Sequence, residues 1–207
     1  MASHRIEYFY ALASPWSYLG NDRLRSLCEQ YGVDLDPIII DYDRMFEAAG
    51  TIPLPGRPPL RKAYRLVELA RWSERRGVAL NPEPRFYRGE VEEPDEHSAA
   101  LLVTAAKLEG LDSLRLAHAL SRALWSEERF PFDPDEMRHI ADAEGFDFEH
   151  LSSAAMRERA AHAYRDATDY SIRRKVFGMP FYLFNEEPFW GQDRLELLEH
   201  RMQQATA

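Results

Sequence analysis

Cysteine is nearly absent: Cys28 is the only one in 207 residues. A disulfide framework and a dithiol exchange both need two thiols within reach of each other, so neither belongs to this chain alone. Long apolar runs are missing as well, and no stretch approaches the roughly 20 residues that a membrane-spanning helix needs. The opening Met1-Ala2-Ser3-His4-Arg5 carries no apolar signal core, which makes the cytoplasm the expected compartment. Positive charge is in deficit, 26 Lys and Arg against 35 Asp and Glu, and a net charge of −9 speaks against a nucleic-acid partner. The seven histidines, at 4, 97, 118, 139, 150, 162 and 200, include no pair at i, i+3 or i+4, so no metal site is expected. Patterns for a dinucleotide fold, a P-loop or a Gly-x-Ser-x-Gly nucleophile elbow are absent too.

What is present suffices for one domain over 1–207, because 45% hydrophobic residues with 12% aromatic can bury a substantial core. An apolar strand, Ile6 to Leu12, runs into Ser14-Pro15-Trp16-Ser17. Ser is a preferred N-cap and Pro a preferred first helical residue, so a helix is predicted from Trp16 to Tyr31. Leu24, Leu27, Cys28 and Tyr31 form its apolar stripe, which makes Cys28 an inert core thiol. A hydroxyl at a helix N-terminus sits among unpaired backbone N–H groups at the positive end of the macrodipole, a place suited to an anion or a thiolate. By itself Ser14 is more simply read as a capping serine, since most N-caps do no chemistry.

A second strand is predicted over Leu35–Ile40, then about 130 residues of helical character. Their pieces are Leu60–Gly77, His97–Gly110, Ser113–Trp125, Asp133–Glu144 and Phe148–Lys175, with Pro-rich loops at Thr51–Pro59 and Asn81–Pro84. The Arg-rich runs 57–62, 71–76 and 173–175 are most simply solvated faces. Near the end, Val176 to Phe184 reads as a strand, Asn185-Glu186-Glu187-Pro188 as a hairpin turn, and Gly191 as the opening of a last helix with Leu195, Leu198 and Met202. Met179-Pro180 fits an ordinary strand start or a cis turn. The outline is a small α/β sheet, βαβ at the start and ββα at the end, with sheet elements at about 5–42 and 176–204 and an all-helical insertion at about 43–175.

The order of Ser-Pro-Trp-Ser-Tyr-Leu, Arg71-Trp72, Ala123 to Arg129, Gly178-Met179-Pro180 and Phe189-Trp190-Gly191-Gln192-Asp193-Arg194-Leu195 resembles the 2-hydroxychromene-2-carboxylate isomerase family, from about Arg5 to about Met202. That family stands with the kappa-class glutathione transferases in the DsbA-like branch of the thioredoxin fold. The resemblance implies a thioredoxin-like fold, a homodimer, a small aromatic substrate and glutathione, or another low-molecular-weight thiol, as a returned cofactor. The implied chemistry interconverts 2-hydroxychromene-2-carboxylate and trans-o-hydroxybenzylidenepyruvate by reversible thiolate addition, ring opening, bond rotation and loss of the thiol.

Position by position, the resemblance makes Ser14 the thiolate stabiliser, in the place where a dithiol relative has its first cysteine, with Ser17 in the second. Met179, before a cis Pro180, would pair its backbone with the cysteinyl part of the tripeptide. Gln192 and Asp193 would hold the γ-glutamyl end, and Lys62 would face the ligand. Gly50-Thr51 replaces a common Gly-Asn, so Thr51 keeps a hydroxyl but loses an amide. A kappa-like thiol transferase, or a cysteine-less DsbA-like binding protein, remains an alternative on these residues. Tyr64, Arg71, Trp72 and Arg75 are candidates for a two-fold interface.

Overall fold

The computed structural model describes residues 4–86, 88 and 96–206. Strand β1 (Arg5–Tyr10) leads into helix α1 (Pro15–Tyr31), which crosses over to strand β2 (Asp34–Ile39). The two strands pair in parallel from Arg5–Asp34 to Tyr10–Ile39. Strand β3 (Phe181–Phe184) pairs antiparallel with β1, and strand β4 (Glu187–Trp190) antiparallel with β3, so the order is β2-β1-β3-β4. Pro37 lies in β2, which is tolerated because β2 is an edge and a missing N–H on its open side costs no ladder bond.

The two-residue period of the strands divides the core. Ile6, Tyr8, Tyr10, Tyr182 and Phe184 point to one side, packing with α1 and the large helical layer. Phe9, Ile38, Phe181 and Leu183 point to the other, against Met45, Ala167 and Tyr170. These last come from helices α2 (Tyr42–Ala49) and α8 (Ala154–Arg173). Between them run α3 (Pro59–Arg76), α4 (His97–Leu108), α5 (Ser113–Trp125), α6 (Pro134–Ala143) and the single turn α7 (Phe148–Leu151). Helix α4 is buried from Ala99 to Ala106 and forms the centre of the insertion. The sheet, crossover and terminal hairpin are those of a thioredoxin-like, DsbA-type fold.

Strand and helix boundaries fall within two residues of expectation for most elements, and Ser113–Trp125 coincides. Four places differ, the first being the strand expected over Val176–Phe184, which pairs into the sheet only from Phe181. The predicted helix Phe148–Lys175 is broken at Ser152–Ser153, because Ser153 takes an extended conformation and accepts the Met156 N–H as the N-cap of α8. The hairpin turn is only Asn185-Glu186, both at positive φ (49° and 69°), and Glu187 and Pro188 already belong to β4. The last helix, α9 (Leu195–Thr206), is preceded by a 3-10 turn at Gln192–Arg194. Cys28 lies buried on the inner face of α1, where desolvation pushes its thiol up to about 12. No helix among the described residues is long and apolar enough to cross a membrane.

Candidate functional site

Ser14 occupies the N-cap of α1 in an extended conformation (φ −92°, ψ 110°), with Pro15 as the first helical residue. Its Oγ accepts the Ser17 N–H at 3.2 Å, so one lone pair is used by the helix while its own proton has no acceptor among the described residues. A hydroxyl in that state can still donate outward. Behind it the turn is held from the insertion. The Leu12 carbonyl accepts from Ser121 Oγ at 3.2 Å and from Trp125 Nε1 at 3.4 Å. The Ala13 N–H donates to Glu96 Oε2 at 2.7 Å. Ser17 is buried, and its Oγ has no partner among the described residues.

The second wall comes from the chain end. The Met179–Pro180 bond is cis. The Pro180 carbonyl accepts the Gly191 N–H at 2.9 Å, while the Met179 backbone has no hydrogen bond among the described residues. Trp190 packs edge-on against Phe177 at 4.9 Å and lies over Gly178, where a Cβ would come within 2.5 Å of the indole nitrogen. Gln192 is buried against α1 because Gly20 has no side chain: a Cβ there would stand 2.9 Å from Gln192 Cβ. Asp193 is half-buried and pairs with Arg194 at 2.9 Å.

The third wall is α3. Arg61, Tyr64, Arg65, Glu68 and Trp72 follow one another at i, i+3, i+4, i+7 and i+11, and together they form one helix face. These three walls enclose a cleft of about 740 Å³. Trp16 of α1, Thr51, Met179, Gln192 and Asp193 line it with that face of α3. Lys62 does not: it stands about 100° around the helix from Arg61, and its Nζ donates to the Pro55 carbonyl at 3.4 Å. Ser14 and Pro180 also lie outside the lining, although Trp16 and Met179, close to them in sequence, form part of it. Thr51 spends its hydroxyl on the Phe177 carbonyl at 2.8 Å, tying the Pro-rich loop to the segment before Met179.

The cleft is electropositive within an acidic protein. Arg57, Arg61, Arg65 and Arg194 outnumber Glu68 and Asp193, and the Arg61 guanidinium has no partner among the described residues. Aromatic rings of Trp16, Tyr64, Trp72, Phe177 and Trp190 supply flat apolar surface between the charges. Arg76 was not singled out by the sequence and is no solvated arginine. Its guanidinium donates to Gln192 Oε1 at 2.9 Å, to the Gln192 carbonyl at 2.8 Å and to Glu196 at 3.0 Å, fixing the turn that presents Asp193. Arg75 and Arg76 also stack over Trp72, at 5.6 and 5.0 Å. Arg174 likewise leaves the solvated class, reaching Glu7 at 3.4 Å and Glu186 at 2.8 Å. Glu96 was the other residue missed, since a lone acid before a helix carries no sequence signal of burial; desolvation pushes its carboxyl up to about 8. No group of three or more His, Cys, Asp or Glu residues able to hold a metal occurs among the described residues.

Residues 5–203 match the DSBA-like thioredoxin domain family. A 2-hydroxychromene-2-carboxylate isomerase of Pseudomonas putida is 30% identical over 202 residues, covering 95% of this chain and 93% of that protein. Among solved structures, a 2-hydroxychromene-2-carboxylate isomerase superposes with a TM-score of 0.80 at 29% identity, over 97% of this chain and 95% of that one. A probable DsbA oxidoreductase from Streptomyces coelicolor superposes at 0.75 and 18% identity, over 98% and 89%, and shares the fold.

Proposed function

This chain belongs to the 2-hydroxychromene-2-carboxylate isomerase family of DSBA-like thioredoxin domains, and from that premise we propose that it interconverts 2-hydroxychromene-2-carboxylate and trans-o-hydroxybenzylidenepyruvate with glutathione, or another low-molecular-weight thiol, as cofactor. The observation that carries the reading is the convergence on one cleft of the α1 N-terminus, the Met179 backbone and the Gln192–Asp193 turn. When bound, the thiol supplies a nucleophile whose reversible addition makes a double bond rotatable.

The residues fit a tripeptide with two carboxylates and one ammonium. At about 740 Å³ the cleft lies within the usual ligand range of roughly 300–1,000 Å³. Met179 offers a free N–H and C=O for strand-like pairing. Asp193 takes the ammonium, sharing its carboxylate with Arg194. Ser14 donates its free proton to the sulfur, and the N-terminal end of α1 adds a favourable field. Arg61, with Arg57 and Arg65, holds the substrate carboxylate, and Tyr64, Trp72 and Trp190 hold its ring. The same reading places the protein in the cytoplasm, where low-molecular-weight thiols stay reduced. It also makes the protein a homodimer, and the apolar surface left for its contact is Val67 on α3 together with Ile52 and Leu60 at the cleft rim, all three exposed.

The test is to follow the ultraviolet spectrum of 2-hydroxychromene-2-carboxylate with protein, with and without glutathione. Conversion that requires glutathione and leaves its concentration unchanged is expected. Consumption of one thiol per turnover would make the protein a kappa-like transferase, and no conversion with retained thiol binding would leave a binding protein.

A further inference from the structure

Glu96 is 5% exposed, the only acid fully buried among the described residues. It stands at the N-cap position of α4, yet its side chain makes no hydrogen bond to its own helix. Instead Oε2 reaches across 83 positions to accept the Ala13 N–H, while Oε1 has no partner among the described residues. The carboxyl is thus aimed at the β1–α1 turn, one residue ahead of Ser14. The ionisable groups facing it are Tyr10 from β1, Tyr164 from α8, and Asp41 and Asp43 from the start of α2. His97, next in the chain, lies edge-on to Tyr164 at 5.7 Å.

We propose that Glu96 is a positioning residue for the Ser14 turn: as a neutral acid it holds the Ala13 N–H and leaves the positive end of α1 free for a thiolate, and its ionisation cancels that attraction. The inference rests on the reading of Ser14 and α1 as the thiolate site. The carbonyl oxygen of a neutral carboxyl is enough to accept the Ala13 N–H. Loss of the proton to solvent adds a full negative charge in a low-dielectric pocket, beside the N–H groups that a thiolate would use. Asp41 and Asp43 already add like charge nearby, and Oε1 has no donor among the described residues to share the charge. Burial holds the carboxyl protonated up to about pH 8, so the change falls within the working range of a thiol enzyme.

The experiment compares wild type with Glu96→Gln, whose amide keeps the acceptor and cannot ionise. Glutathione dissociation constants are measured by calorimetry at pH 7 and pH 9, with S-methylglutathione as a probe that forms no thiolate. The ratio of wild-type to variant constants for glutathione is expected to rise about 5- to 10-fold between the two pH values, the size of a coupling near one pKa unit. For S-methylglutathione the ratio stays flat. Carbon-13 titration of the Glu96 carboxyl in the wild type should show a midpoint near 8, and it serves on its own where the variant does not fold. A midpoint near an ordinary glutamate's ~4.3 overturns the proposal. So does a glutathione ratio that does not change with pH while Ser14→Ala weakens glutathione binding at high pH. If Ser14→Ala alters neither rate nor thiolate binding, the reading of the site itself fails, and the carboxyl midpoint still reports on Glu96 separately.

Discussion

The walls that face each other across the cleft differ in how much of the molecule holds them. The Ser14 turn is tied by Ser121 and Trp125 at the Leu12 carbonyl, by Glu96 at the Ala13 N–H, and by the close seat of Gln192 on α1 at Gly20. Opposite, α3 buries only Leu69 and leaves Leu60 85% and Tyr64 59% exposed, anchored at its far end by Arg76. A group that must stabilise a developing charge needs fixed donors, because reorientation during reaction wastes their interaction. A wall that accommodates a substrate ring can be looser, since stacking tolerates small shifts. On the proposed function, the difference separates a chemical wall from a binding wall.

The largest expected effect comes from undoing the fixed side. Trp125→Ala removes a wholly buried ring and one donor to Leu12, and should cost about 3–5 kcal/mol in urea unfolding. A loss under about 1 kcal/mol would mean that the turn is not held from α5. Next come the two poles of the site. Ser14→Ala loses one charge-assisted hydrogen bond, about 1.5–3 kcal/mol, and should lower kcat about 10- to 100-fold while the acidic limb of the pH profile moves upward. Asp193→Ala should instead raise the glutathione concentration for half-saturation about 5- to 10-fold with kcat little changed. Equal losses of kcat in both variants would erase the distinction between chemistry and binding. The smallest change in fold stability is expected on the loose wall, where Leu60→Asp should stay within about 0.5 kcal/mol. On the proposed homodimer its effect belongs to assembly: light scattering should fall from twice 24.1 kDa to 24.1 kDa, and an unchanged particle would place the subunit contact elsewhere.

Much of this frame could be read along the chain because its signals are local. Ser14-Pro15 marks a cap, the α5 stripe gives Ser113–Trp125 to the residue, and two-residue alternation announces β1. What could not be read depends on partners far away in sequence. Periodicity tells which face of α3 is which, but not that the Arg61–Trp72 face, rather than Lys62, turns into the cleft. Arg76 sits in a run of charges and gains its meaning only from Gln192, 116 positions on. The hairpin turn is legible, but its confinement to Asn185-Glu186 is hidden because glutamate is an unusual occupant of a left-handed position, and here Arg174 engages its carboxylate.

The Leu12 carbonyl, which accepts two hydrogen bonds, also bears on how the chain matures during synthesis. Its donors lie 109 and 113 residues downstream, and the Glu96 contact to Ala13 spans 83. Strand β1, moreover, has no neighbour on its β3 side until Phe181–Phe184 emerge. A nascent chain that has made β1, α1 and β2 therefore holds the Ser14 motif without its supports and with a central strand still open. Such non-local closure slows folding and leaves an unpaired apolar edge exposed meanwhile. The Ser14 turn, though encoded among the first residues, stays without its supports until Glu96, Ser121 and Trp125 have been made.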